Sequence, residues 1–181
     1  VAGEVDGVDG DVVLVAHSSG GLVVPGVVAA AGGRVVHVVL NAASVPPEGG
    51  IGLDCMKERH RDSVRQVKAA IDAGHVITTP PDPPEPERLR KAYGGDLLDD
   101  ATIGFLSDPA RYVPDTYNFY FGPVSWGRAS GVPVTYLLNL QDRAVPPELQ
   151  QEMIRRLPAA PRIIPLDAGK MPAVTMQKVS A

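Results

Sequence analysis

The chain has 181 residues, 44% of them hydrophobic and 21% charged, and a formal net charge of -4. That size and balance suit one globular domain with a sizeable core. The acidic balance offers no basic field to a nucleic acid, and no apolar run reaches the roughly 18 residues a membrane span requires. Cys55 is the lone cysteine, so an internal disulfide is excluded and a reducing, cytoplasmic location is expected. It lies in a segment with no special neighbour beyond His60 and reads as chemically inert. Residues 1–11 are acidic and glycine-rich, unlike a secretory leader, and the chain opens on valine, which is the pattern of a fragment or a processed product.

Residues 12–16 (V-V-L-V-A) form an uninterrupted β-branched run, as expected of a parallel strand covered on both faces. The strand runs through His17 into Ser18-Ser19-Gly20-Gly21 and then into a helix. A serine at such a strand-to-helix turn projects its hydroxyl from the sheet edge, with the backbone N–H of the next residue aimed at the same space. Ala16 and Gly20 hold the flanking positions, where larger side chains are expected to collide. The plainer alternative is that Ser18 and Ser19 only cap a helix. Residues 22–31 supply the crossover helix, with Pro25 near its first turns and Gly32-Gly33 ending it. Residues 34–40 (R-V-V-H-V-V-L) read as a second buried strand, completing a right-handed parallel unit, and His37 inside it reads as a core or strand-end histidine.

After Asn41 strand periodicity disappears, and residues 44–131 read as a helical cap inserted between a first core part, 1–43, and a second, 132–181. Within the cap, residues 56–73 form a charged amphipathic helix, 79–86 a stiff proline-rich connector, and 87–93 and 97–106 shorter helices. Residues 112–126 concentrate the aromatics: Tyr112, Tyr117, Phe119, Tyr120, Phe121 and Trp126. These form either the core of the cap or the wall of an apolar pocket. On the second reading Tyr117, Phe119, Phe121 and Trp126 line a substrate pocket, with His17 beside the nucleophile. The sheet resumes at residues 132–140, and Asp142 follows at the strand's carboxyl end, where sites in α/β sheets gather. A helix over 148–157, a strand over 162–166 and the loop Asp167-Ala168-Gly169-Lys170-Met171-Pro172 complete the pattern.

Taken in order, A-H-S-x-G at 16–20, D-R-x-V-P at 142–146 and D-A-G-K at 167–170 resemble the α/β-hydrolase superfamily. The stretch N-A-A-S-V-P-P-E-G at 41–49 is similar to its branch of plant-type methylesterases, hydroxynitrile lyases and bacterial relatives. The resemblance implies an α/β fold with a mostly parallel sheet, and Ser18 as nucleophile, Asp142 as acid and Ser19 as one oxyanion donor. It implies no cofactor and no metal, and a small ester, thioester or lactone as substrate. It covers the second half of the family's catalytic domain and its cap. The family's earlier strands, whose following loop brings the second oxyanion donor, have no counterpart in the residues before 12.

The family's histidine slot is filled by Lys170, and no histidine follows His75. The branch's lyases place a lysine immediately after the histidine, where this chain has Met171. A free lysine titrates near 10.4 and a neighbouring Asp142 is expected to raise that further, so the two should pair. His17 faces away from Ser18 if neighbours on a strand alternate, and His60 and His75 lie in the cap. Three readings follow: a serine hydrolase of weak activity, a ligand-binding protein that has lost its base, and a lyase or cyclase using Lys170 as a fixed charge. An apolar edge at residues 12–16 adds the expectation of a homo-oligomer.

Overall fold

A computed structural model describes residues 2–75, 85–93, 98–111 and 117–176. Four strands, β1 (Val12–His17), β2 (Val35–Asn41), β3 (Val134–Asn139) and β4 (Arg162–Leu166), pair in the order β1-β2-β3-β4, each parallel to its neighbour. Parallel pairing demands a crossover between successive strands, and the helical stretches of the sequence supply them. After the short α1 (Ala2–Asp6), α2 (Val24–Ala30) links β1 to β2 and α6 (Pro147–Ile154) links β3 to β4. Pro25 falls in the first turn of α2, where a missing N–H costs nothing.

One face of the sheet builds the main core. Val38, Leu40, Tyr136 and Leu138 pack with Val24, Val27 and Val28 of α2 and with Met153 and Ile154 of α6. Tyr136 is fully buried and satisfies its hydroxyl by donating to the Ala43 carbonyl at 3.0 Å. The other face is barer than the sequence suggests. Val13 and Val15 of β1 are 55% and 65% exposed, and Val39, which pairs with Val15, and Leu137 and Ile164, which pair with each other on the same face, are half-buried. The expectation that β1 is covered on both faces is therefore corrected: a continuous β-branched run suits a buried strand but does not require one. His37 lies on that face, hydrogen-bonded to Thr135 at 2.9 Å.

Between β2 and β3 the described residues form helices and turns. These are α3 (Glu58–Asp72), α4 (Pro86–Tyr93), α5 (Asp100–Leu106), and short 3-10 turns including Gly52–Cys55, Tyr117–Tyr120 and Trp126–Ala129. Leu89, Leu98 and Ile103, joined by Tyr93 and Leu106, make a second small core under α4 and α5. Asp99 caps α5 by accepting from the Thr102 N–H at 2.8 Å. Most of the expected proline-rich connector, and Tyr112 and Leu97 with it, lie outside the described residues. A short α7 (Pro172–Thr175) follows β4. Among the described residues no helix is long and apolar enough to cross a membrane.

Candidate active site

The strands run parallel, so their carboxyl ends share one edge, and Ser18, Asp142 and Lys170 follow the ends of β1, β3 and β4. His17 closes β1 in extended conformation and Ser18 then turns to a φ of 53°. A serine in this left-handed region costs on the order of 1–3 kcal/mol, so the surroundings must hold it there. The Ser44 N–H does so, donating to the Ser18 carbonyl at 2.7 Å. The chain reaches Ser44 through a second such residue, Ala42, with a φ of 40°.

The two segments touch so closely that a Cβ on Gly21 would stand 2.3 Å from the Ser44 carbonyl oxygen, whereas one on Gly20 would stand 3.8 Å from the Ala16 Cβ, an ordinary contact. The expected crowding is thus corrected by one position, from Gly20 to Gly21. The loop after β2, and not the preceding turn of β1, presses on the elbow.

Ser18, Ser19 and Ser44 border a cleft of about 140 Å³ whose apolar wall comes from Met56, Tyr120, Val145 and Leu149. Gly52 lets Tyr120 close over it, since a Cβ there would stand 2.7 Å from the ring. Cys55 also borders the cleft, but burial pushes its thiol up to about 12, so it stays protonated. The four aromatics expected to line the pocket lie elsewhere. Trp126, 2% exposed, belongs to the main core and borders a separate cavity of about 260 Å³ beside Val132 and Pro158. Phe119 stacks on Tyr120 with ring centroids 4.2 Å apart, Tyr117 stands 6.2 Å from Tyr120, and Phe121 lies 5.8 Å from the Lys68 ammonium. Among the described rings of the aromatic cluster, Tyr120 is the one that borders the cleft.

Asp142 follows β3 in a turn fixed by its own side chain, Oδ1 accepting from the N–H groups of Ala144 and Val145, both at 2.8 Å. Gln150, fully buried on α6, braces the same turn by donating to the Asn139 carbonyl at 3.0 Å and the Val145 carbonyl at 2.7 Å. Asn139 in turn donates to Asn41 at 2.9 Å, tying the ends of β3 and β2. Sequence reading missed this amide network; the signal was a glutamine on the inward face of an otherwise apolar helix position.

The free oxygen of Asp142 stands 3.7 Å from the Lys170 ammonium, with side-chain exposures of 0% and 6%. This ion pair lies beyond hydrogen-bond reach, and neither atom has a hydrogen-bond partner among the described residues. Burial raises the Asp142 carboxyl against the opposing pull of Lys170 and the two N–H groups. Burial also lowers the Lys170 ammonium, outweighing Asp142, so the expected upward shift of Lys170 is corrected: the carboxylate pulls in that direction but desolvation wins. Lys170 does not border the cleft.

The backbone of Lys170 is held from two sides. Its N–H donates to the Tyr93 carbonyl at the end of α4, and its carbonyl accepts from His17 Nε2, both at 2.9 Å. His17 is thus spent on the 170 loop and does not border the cleft, which corrects its place in the expected substrate pocket. Burial first, and the Lys170 charge second, lower it to about 4, so the ring is neutral with its proton on Nε2. His60 sits within α3, and His75 turns back on the Ala70 carbonyl at 3.0 Å. Among the described residues no three His, Cys, Asp or Glu side chains gather into a metal-holding cluster.

A family model described as the Alpha/beta hydrolase family matches residues 1–181. The chain belongs to that family. No curated protein matches it. Among solved structures this hydrolase chain is similar to a pyrethroid hydrolase from Sphingobium faniae, at 21% identity and a TM-score of 0.72, covering 98% of this chain and 71% of the other. It is also similar to an extracellular α/β-hydrolase from a Paenibacillus species, at 20% identity and 0.72 over 97% and 71% of the two chains. A third likeness is to polyneuridine aldehyde esterase, at 15% identity and 0.67 over 98% and 72%. Identities this low carry the fold and leave the substrate open.

Proposed function

We propose that this α/β-hydrolase is a cofactor-independent serine hydrolase of small carboxylic esters, thioesters or lactones, with Ser18 as nucleophile and weak turnover. The observation that carries the reading is the left-handed Ser18, a strained non-glycine turn held by Ser44 at the rim of a cleft. Strain of this kind persists where the surroundings enforce it, and it clusters at reactive sites. Ser18 Oγ attacks the acyl carbon, the Ser19 N–H faces the developing oxyanion, the serine proton passes to the departing alcohol or thiol oxygen or sulfur as the acyl bond breaks, and water then cleaves the acyl-serine ester. The slow step is loss of the serine proton. The residue in the histidine slot, Lys170, is buried against Asp142 and away from the cleft, and Cys55 keeps its own proton.

In this reading residues 44–131 act as a lid, and Tyr93 at the end of its helix α4 accepts from the Lys170 N–H. Two of the similar structures, a pyrethroid hydrolase and polyneuridine aldehyde esterase, support ester-type chemistry.

The second reading, a hydrolase-fold protein that binds without turning over, is favoured by the same buried Asp142-Lys170 pair. The lyase or cyclase reading loses ground, because an ammonium sealed beside a carboxylate offers little field to a ligand in the cleft. Labelling with a serine-directed fluorophosphonate separates the first two. Phosphonylation of Ser18, found by peptide mass spectrometry and absent in Ser18→Ala, is the expected result; an unlabelled Ser18 after prolonged exposure favours the binding protein.

A further inference from the structure

One side of the Ser18 cleft is a ring with little freedom to move. Tyr120 ends the 3-10 turn Tyr117–Tyr120 and borders the cleft, and its ring lies against Gly52, which borders it too. A Cβ on Gly52 would stand 2.7 Å from Tyr120 Cδ1, 3.0 Å from Tyr120 Cα and 2.8 Å from Leu22 Cδ1, so only glycine admits the ring this close. The Phe119 ring meets the Tyr120 ring with centroids 4.2 Å apart. Contact with the Gly52 backbone and with a second aromatic holds the half-buried ring, since a close-packed side chain yields only by displacing its neighbours. The rest of the apolar wall is Met56, before α3, with Val145 and Leu149 from the segment after Asp142. The space they leave is about 140 Å³, room for about five water-sized groups at roughly 30 Å³ each. A butanoyl group, with its carbonyl oxygen, has about that many non-hydrogen atoms.

We infer that Tyr120 is a specificity-determining residue, the wall that limits the acyl chain, and that the Ser18 cleft takes esters of unbranched acids of up to about four carbons. This rests on the reading of the Ser18 cleft as the substrate site, and it is tested by binding so that turnover does not enter. In Ser18→Ala protein, methyl acetate, propanoate, butanoate, pentanoate and hexanoate are titrated while the amide resonances of Ser19 and Ala144, both bordering the cleft, are followed by NMR. Affinity should rise about fourfold per methylene up to butanoate, as burial of each CH₂ provides, and fall beyond it. Tyr120→Ala in the same background should carry the rise on to hexanoate, and Tyr120→Phe, which keeps the ring, should leave the break at butanoate. If Tyr120→Ala does not fold, Tyr120→Leu supplies the widened cleft and should also extend the rise. A rise that continues past butanoate with Tyr120 in place, a break that stays at butanoate in the widened cleft, or binding of none of the esters would overturn the assignment. Failure of Ser18 to label with a fluorophosphonate would instead count against hydrolysis and leave the break standing.

Discussion

The carbonyl of Lys170 accepts from His17 Nε2 at 2.9 Å, so the strand end that carries the nucleophile also holds the loop that carries the residue in the histidine slot. The bond needs a proton on one ring nitrogen, and burial keeps the ring neutral.

Neutrality of His17 predicts acid lability. Its folded value of about 4 lies below the ordinary 6.5, so the stability it contributes is full above pH 6.5 and is lost as pH falls towards 4. The loss is about 3 kcal/mol by linkage. Asp142, shifted upward, acts with the opposite sign on acidification. It is common to wild type and His17→Gln, so the difference between their urea unfolding curves isolates His17. That difference should move by roughly 3 kcal/mol between pH 7 and pH 4, with wild type the more pH-sensitive protein. A flat difference would show that His17 is solvated.

The elbow predicts an asymmetry between adjacent glycines. Gly21→Ala forces a methyl group to 2.3 Å from the Ser44 carbonyl oxygen and should cost about 3 kcal/mol or more in thermal or urea denaturation. Gly20→Ala meets only an ordinary contact and should stay within about 1 kcal/mol of wild type. Equal costs would mean that Ser44 does not press on the turn.

A lysine in the histidine slot predicts a gain of function. A positioned general base contributes typically a hundred- to ten-thousand-fold, so Lys170→His should raise turnover of a small activated ester by at least about a hundredfold. Ser18→Ala should remove the gain. If wild type already hydrolyses such esters in a Ser18-dependent way and Lys170→His adds nothing, the buried lysine is a competent base after all.

The buried pair predicts strong non-additivity. Lys170→Met leaves the Asp142 carboxylate buried without its cation and should cost about 3–5 kcal/mol. Asp142→Asn keeps an oxygen for the Ala144 and Val145 N–H groups, so adding it to Lys170→Met should return most of the loss. A double variant as unstable as the sum of its parts would show that the two charges act independently.

Much of this was legible in the residues. The strands over 12–16, 34–40 and 162–166 emerge within a residue or two of their observed bounds, because β-branched runs and glycine stops are local signals. The turn at Ser18 and the place of Asp142 after β3 follow from the same order of elements. What escaped are relations between distant residues. His17 meets a carbonyl 153 positions away, and Gly21 is constrained by Ser44 from another loop, neither of which leaves a periodic trace. The choice of Tyr120 over its aromatic neighbours depends on how the 3-10 turn Tyr117–Tyr120 presents its rings, and composition is silent on that. Val13 and Val15 read as buried because hydropathy reports what a side chain tolerates and not what covers it.

The main chain of position 170 is held from both sides, its N–H by the Tyr93 carbonyl and its carbonyl by the His17 side chain, apart from the pairing of its ammonium with Asp142. Both grips are indifferent to the side chain mounted there, so the socket outlives its occupant. A different side chain at this address leaves both of these bonds in place, so an exchange there alters the charge set against Asp142 and not the path of the loop.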